Sequence, residues 1–225
     1  MAGSTDGTLS YRYERKYVVP FHMLPNLGAI LRRSRFGFRE IYAERDVLNL
    51  YFDTPMFRFY HENVQGVADR KKVRIRWYAD GPLSGKCRLE IKRKSGLVGA
   101  KNVYPLTLEN ADVMGLRFLE ELPLPDDVRF ELNELRPTLF NKYKRRYFLS
   151  ADGRFRMTID HSLHYSHPSV LSRGGGMGSP DMMAVLELKY AHEDDCDAAY
   201  VASDIPLQLS RKSKYVTGIS AVYNC

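Results

Sequence analysis

The sequence predicts an α+β protein dominated by β-strands, on three observations. Strand-like segments outnumber helical ones along the 225 residues. Tyrosine and phenylalanine, 15 and 11 in number, suit pleated and half-buried surfaces. Several segments also alternate apolar side chains with full charges, which is the period of a strand.

In chain order, the first ten residues read as a disordered tail, with neither a basic n-region nor an apolar h-region. A strand over 9–19 sets Arg12, Glu14 and Lys16 opposite Tyr11, Tyr13 and Tyr17. Pro20 ends it, and apolar spacing over 21–33 predicts a helix. A strand over 43–53 closes on Asp53, which is expected to cap a short helix around 56–60. Over 71–79, Arg74 and Arg76 oppose Val73, Ile75 and Trp77; over 86–94, Arg88, Glu90 and Lys92 oppose Leu89 and Ile91. A strand over 101–108 leaves the face of Lys101 undecided. A helix is expected over 109–122, ended by Pro123.

After Pro137 comes a strand over 139–149, in which a one-residue slip exchanges the faces of Arg145 and Arg146. Tyr143 shares the face of Arg145, which offers its hydroxyl to a bound anion. Over 154–160, Arg154, Arg156, Thr158 and Asp160 oppose Phe155, Met157 and Ile159. His161, His164 and His167 follow at every third position. With Pro168 behind them they read as a solvated turn rather than a metal site. Residues 172–180 form a glycine-rich loop without the Gly-Lys-Ser/Thr ending of a phosphate-binding P-loop. A strand over 182–190 opposes Glu187 and Lys189 to Leu186, Leu188 and Tyr190. Helices over 193–203 and 211–222 complete the chain; in the last, i, i+3 spacing puts Arg211 and Lys214 on one side. Without repeats, heptads or long linkers, residues 11–225 read as a single domain.

Lysine and arginine total 34 against 27 acidic residues, a formal charge of +7 and a pI near 9.2, so an anionic partner is expected. The basic clusters Arg32-Arg33 with Arg35, and 142–146, are interrupted by apolar residues and match no recognition motif, so no nucleic-acid partner is expected. Three cysteines, Cys87, Cys196 and Cys225, form neither a disulfide framework nor a zinc pair and read as reduced thiols of a cytoplasmic protein. No apolar run reaches the ~18 residues of a membrane span, so no direct membrane insertion is expected.

From alternation alone two arrangements stay open. In one, an open sheet carries a solvated face of ion pairs. In the other, the sheet closes and the charges line its interior. A lumen lined by cations requires an anion, and polyphosphate supplies one. Glu14, Glu90 and Glu187 among those cations repel phosphate unless Mg²⁺ or Mn²⁺ bridges them through oxygen ligands.

The segments Tyr13-Glu14-Arg15-Lys16-Tyr17, Tyr51-Phe52-Asp53-Thr54, Lys72-Val73-Arg74-Ile75-Arg76-Trp77-Tyr78, Leu89-Glu90-Ile91-Lys92, Tyr143-Lys144-Arg145, Phe155-Arg156-Met157-Thr158-Ile159-Asp160, Leu186-Glu187-Leu188-Lys189 and Ser213-Lys214-Tyr215 occur in this order. Together they resemble the catalytic domain of the vacuolar transporter chaperone polyphosphate polymerases, within the triphosphate tunnel metalloenzymes. The resemblance runs from about residue 11 to the C-terminus. It implies a closed antiparallel β-barrel, the triphosphate tunnel, with a few packing helices. It also implies ATP-dependent synthesis of inorganic polyphosphate with Mn²⁺ or Mg²⁺. By motif position Lys16, Arg74, Arg76, Lys92, Arg145, Arg156, Arg211 and Lys214 contact phosphate. Arg74, Arg76, Lys92, Arg145 and Arg156 carry the catalysis, and Glu187 holds the metal.

Two departures stand out. Arg211 replaces the first lysine of the family's Lys-x-x-Lys, and the first strand reads Arg12-x-Glu14-x-Lys16 where hydrolytic relatives carry Glu-x-Glu-x-Lys. The missing carboxylate favours transfer to phosphate over transfer to water. A tripolyphosphatase or nucleoside triphosphatase, and a non-catalytic polyphosphate-binding module, are the competing readings. The regulatory domain and membrane helices of the fungal proteins have no counterpart in the sequence, so passage of product across a membrane is expected to need a membrane partner protein.

Overall fold

Alternating residues build most of this chain into strands, and the described pairings between them are antiparallel. The computed structural model describes residues 12–78, 85–96, 98–108, 124–173 and 178–225. The expected tail over 1–10 and the expected helix over 109–122 lie outside the described residues. Strands β1 (Arg12–Pro20), β2 (Arg39–Asp53), β3 (Arg70–Tyr78), β4 (Gly85–Ser95) and β5 (Val98–Leu108) come first. Strands β6 (Arg136–Leu149), β7 (Arg156–Ser166), β8 (Ser179–Asp181) and β9 (Met183–Ala191) follow. The helices are α1 (Leu24–Arg33), α2 (Arg58–Gln65), α3 (Asp126–Asn133), α4 (Val170–Arg173), α5 (Asp195–Ser203) and α6 (Lys214–Tyr223). None among the described residues is long and apolar enough to cross a membrane.

The strands pair in the order β1-β9-β7-β6-β2-β3-β4-β5, with β8 added to β7. The α+β class and the antiparallel sheet agree with expectation. Closure does not, because β1 and β5 end the order and no described pairing joins them. On the β1 side the cause is local. The Lys16 carbonyl accepts from the Ser210 N–H at 2.7 Å and Tyr17 bridges Leu209, so this segment takes the edge a closing strand needs.

The chain groups into two compact units, each assembled from three segments. The first comprises Met1–Glu44, Arg146–Asp160 and Met183–Arg211. Its core joins Leu27 and Leu31 of α1 and Ala198 and Val201 of α5 to Phe155, Met157, Leu186 and Leu188. The second comprises Arg45–Arg145, His161–Met182 and Lys212–Cys225. There α2, α3 and α6 bring Phe59, Val128, Leu132 and Ile219 into one apolar cluster with Val73, Ile75, Leu89 and Ile91. The strand period predicted the apolar members of β3, and Val73, Ile75 and Trp77 are buried while Lys72, Arg74 and Arg76 are half-buried.

Two local expectations are corrected. Strand β7 runs on to Ser166, so the turn expected around His161, His164 and His167 is largely strand. Leu163 and Tyr165 are buried and pair with β8, a short apolar alternation masked by Ser162, whose φ of 51° interrupts the pleat. Helix α6 begins at Lys214 rather than Arg211, because the Ser213 side chain accepts from Val216 N–H and caps it there. Arg211 therefore lies outside the helix and is exposed.

Helix α6 packs closely on strands of its own unit. A Cβ at Gly218 comes within 2.5 Å of Leu139 Cδ2 and 2.6 Å of Tyr165 Cδ1, both on fully buried side chains. Gly218→Ala is therefore expected to lose about 1–2 kcal/mol of unfolding free energy in denaturant titration, overpacking exceeding the gain in helix propensity. A stabilised variant would show that α6 has slack at this contact.

A cationic candidate site

In the second unit, register places the charged sides of β3, β4 and β5 together. Lys72 faces Lys92, Arg74 faces Glu90 and Arg76 faces Arg88, while Lys92 also faces Lys101. Tyr51 and Asn49 of β2 face Arg74 and Arg76 from the other side. Lys72, Arg74, Arg76, Arg88, Lys92 and Lys101 thus share a face on which Glu90 is the one carboxylate among the described residues of β3–β5.

Glu90 is 4% exposed and works at full capacity. Its Oε2 accepts from Arg74 Nε at 2.8 Å and Nη2 at 2.6 Å, and its Oε1 accepts from Lys101 Nζ at 2.7 Å. Arg76 Nη1 stands 3.9 Å away. Burial raises the pKa of a carboxyl, but Arg74, Arg76 and Lys101 outweigh it and hold Glu90 far below the usual carboxylate range. Lys101 shifts the other way from an ordinary ion-paired lysine. Burial, with Arg74 and Arg76 adding to it, pushes its ammonium below the usual value in spite of Glu90. One carboxylate cannot neutralise this face, and the face remains net cationic.

Two tyrosines organise the arginines. Arg74 Nη1 donates to the Tyr51 hydroxyl at 3.0 Å. Burial raises the Tyr51 phenol, but the charges of Arg74, Arg76 and Lys214 outweigh it and lower its pKa. Tyr51 stacks on Tyr215 with centroids 5.1 Å apart, and the Tyr215 hydroxyl donates to Asp53. Asp53 also accepts the N–H groups of Phe59 and Tyr60, both at 2.9 Å, so it caps α2 as the sequence suggested. The second tyrosine, Tyr143, accepts from Arg76 Nη2 at 3.1 Å. Its ring lies 5.4 Å from Arg145 Cζ and 5.2 Å from Lys214 Nζ. The ambiguity between Arg145 and Arg146 is thereby resolved. Arg145 is buried beside Tyr143, whereas Arg146 is bound by Glu40 at 2.9 and 2.8 Å.

Lys72 Nζ donates to Ser213 Oγ at 2.8 Å, and Arg76 Nε donates to Asn49 Oδ1 at 2.9 Å. Lys92 and Arg88 are exposed and form no ion pair among the described residues.

The first unit holds its own charged quartet. Lys16 pairs across the ladder with Glu187 and Glu14 with Lys189. Lys16 lies 3.0 Å from Glu14 and 3.6 Å from Glu187; Lys189 lies 3.3 Å from Glu187 and 3.8 Å from Glu14. Arg156 of β7 is opposite Lys189 and exposed, as is Arg211. Among the described residues no group of three or more His, Cys, Asp or Glu side chains forms, so the expected three-carboxylate set is not assembled in either unit. Glu14 and Glu187 do make a carboxylate pair, and a pair suits Mg²⁺ or Mn²⁺ arriving on phosphate oxygens.

The sequence reading left out Lys72, Lys189, Tyr51, Asn49 and Asn141 as site residues. Period-two alternation was signal enough for the two lysines. The asparagines and Tyr51 carry no charge; only register brings Asn49 and Tyr51 to the arginines, and Asn141 joins them through Asn49.

The VTC domain matches residues 11–223 of the chain. No match is found among curated proteins. Among solved structures, a Vibrio parahaemolyticus protein described as a candidate adenylate cyclase superposes with a TM-score of 0.51 at 15% identity, over 92% of this chain and 98% of that one. The Mediator head module of Schizosaccharomyces pombe reaches 0.44 at 10% identity, over 86% and 88%. The first likeness establishes a shared fold.

Glu90→Gln is expected to cost about 2 kcal/mol, less than the ~3–5 kcal/mol of a fully buried pair because Arg74 and Lys101 stay partly in solvent. The folded pKa lies below the unfolded one, so the wild-type contribution is full above the ordinary carboxylate value and lost as pH falls below it. Urea titrations should show the gap between wild type and variant shrinking below about pH 4. A gap constant with pH would remove the Glu90 ion pairs as its source.

Proposed function

The chain belongs to the VTC domain family, and from that premise we propose that it is a cytoplasmic polyphosphate polymerase, transferring the γ-phosphate of ATP to a growing polyphosphate chain. The observation that carries this reading is the net cationic face of β3, β4 and β5, where Lys72, Arg74, Arg76, Arg88, Lys92 and Lys101 surround one carboxylate, Glu90. A polyanion is the ligand that such a face stabilises best. No disulfide joins the three cysteines.

Phosphoryl transfer asks a protein mainly for alignment and charge neutralisation, since its transition state is loose. A terminal oxygen of the polyphosphate chain attacks the γ-phosphorus in line. The bond from that phosphorus to the β,γ-bridging oxygen breaks, and ADP leaves. The attacking oxygen is already anionic, so no side chain is needed as a general base. Arg74 and Arg76 are held before any ligand arrives, by Glu90, Tyr51, Asn49 and Tyr143, and preorganised charges of this kind spend little on reorientation. Lys92 is free to fold onto a phosphate. Lys214 and Arg145, stacked about Tyr143, extend the cationic surface. Lys16, Arg156 and Arg211 are assigned phosphate contacts by motif position. Glu187 with Glu14 would hold a divalent ion arriving with the phosphates, and that ion would supply further charge neutralisation.

Incubation of the purified protein with ATP and Mn²⁺, followed by sizing of products on a gel, is expected to give long polymer and ADP, lost on chelation. Orthophosphate alone would convert the reading to a hydrolase; chelator-insensitive binding of polyphosphate without turnover would make it a binding module. Arg74→Ala is expected to lower kcat about 10²–10³-fold, the ~2.7–4 kcal/mol typical of removing a transition-state donor. Glu187→Ala is expected to abolish metal-dependent turnover. Near-normal activity in either variant overturns its assigned role.

A further inference from the structure

Asn49 and Asn141 occupy mid-strand positions of β2 and β6 with no exposure at all. Asn49 Nδ2 donates to Asn141 Oδ1 at 2.9 Å, and Arg76 Nε donates to Asn49 Oδ1 at 2.9 Å. The direction of this chain is forced. A guanidinium carries only N–H donors, so the Asn49 atom that meets Arg76 is its oxygen. That turns the Asn49 amide nitrogen toward Asn141, which must answer with its own oxygen. Asn141 Nδ2 is left over, a buried donor without an acceptor among the described residues.

Energetically this is an odd way to fill a sheet interior. A buried amide left unsatisfied costs about 1–3 kcal/mol. Leucine matches asparagine in shape and leaves no amide unsatisfied. What the amides add, and leucines cannot, is an acceptor at Arg76 Nε. With Nε tied to Asn49 and Nη2 tied to Tyr143 at 3.1 Å, the plane of the guanidinium is fixed along one edge. Nη1 is the nitrogen not used by either anchor, 3.9 Å from Glu90 on the cationic face.

We infer that Asn49 and Asn141 are positioning residues, a two-amide strut that holds the Arg76 guanidinium so that Nη1 is presented to an anionic phosphate chain. This rests on the reading of the β3–β5 face as a phosphate-binding surface, and it does not require that the bound phosphate be polymerised.

The test uses the full chain and inorganic tripolyphosphate as the probe. In the double variant Asn49→Leu/Asn141→Leu, calorimetric affinity of the folded protein for tripolyphosphate is expected to fall about tenfold, as for loss of one charge-assisted hydrogen bond. Arg76→Lys, which cannot use the strut, is expected to weaken binding in the wild-type background and to add little in the leucine background. Unchanged affinity in the double variant, or full additivity with Arg76→Lys, overturns the inference. So does a destabilised variant whose folded fraction binds normally, because the amides are then structural. If the double variant does not fold, Asn141→Leu alone carries the same cycle: coupling to Arg76→Lys supports the strut and its absence overturns it. Wild type that binds tripolyphosphate but makes no polymer defeats the polymerase reading and leaves the strut intact. Wild type that does not bind tripolyphosphate defeats the strut whatever the polymer assay gives.

Discussion

Cations on neighbouring strands repel one another, and β3, β4 and β5 bring many of them to one face, Lys72, Arg74, Arg76, Arg88, Lys92 and Lys101 included. What lets this face fold is Glu90. It takes both an edge of the Arg74 guanidinium and the Lys101 ammonium, and it does so while almost wholly buried, where an ion pair is attenuated least. The arrangement is compensated only in part. Lys101 is pushed below its ordinary value though it touches a carboxylate, by burial first and by Arg74 and Arg76 after it.

The neutral residues around this face serve the charged ones. Tyr51, lowered by its cationic neighbours, ties Arg74 to a chain that runs through Tyr215 to Asp53 and the start of α2. Tyr143 gathers Arg76, Arg145 and Lys214 around one ring. The close seat of α6 at Gly218 fixes the helix whose first residue is Lys214. Fold stability and site geometry are therefore coupled within this unit, because the groups that orient the cations are also members of its apolar cluster.

The first unit shows a different balance. Lys16, Glu14, Glu187 and Lys189 alternate in sign across the β1–β9 ladder, so each carboxylate lies within 4 Å of both lysines. Such a quartet is close to neutral by itself. Arg156 and Arg211, both exposed, supply its surplus charge. A carboxylate pair already matched by lysines suits a metal delivered with phosphate better than one bound alone, because the ligand brings the extra negative charge that the cation requires.

Much of this was legible in the primary sequence, for one reason: a strand has an integral period. Alternation in Val73-Arg74-Ile75-Arg76-Trp77 assigns each side chain to a face without knowledge of any partner strand, and the family motifs in order fixed the domain. The same logic failed where the period is broken, as at Ser162 in β7, and where a helix start depends on a cap, as at Ser213. It was silent on closure of the sheet, because the segment at Leu209–Ser210 that takes the β1 edge has no strand signature of its own. Register belongs to the tertiary structure alone. It chose Glu90 as the partner of Arg74 and set Asn49 beside Arg76, while packing joined Arg146 to Glu40 and Asn141 to Asn49. A sequence specifies which face a residue takes; which residues share that face is decided only when strands distant in the chain align and their side chains compete for the same few partners.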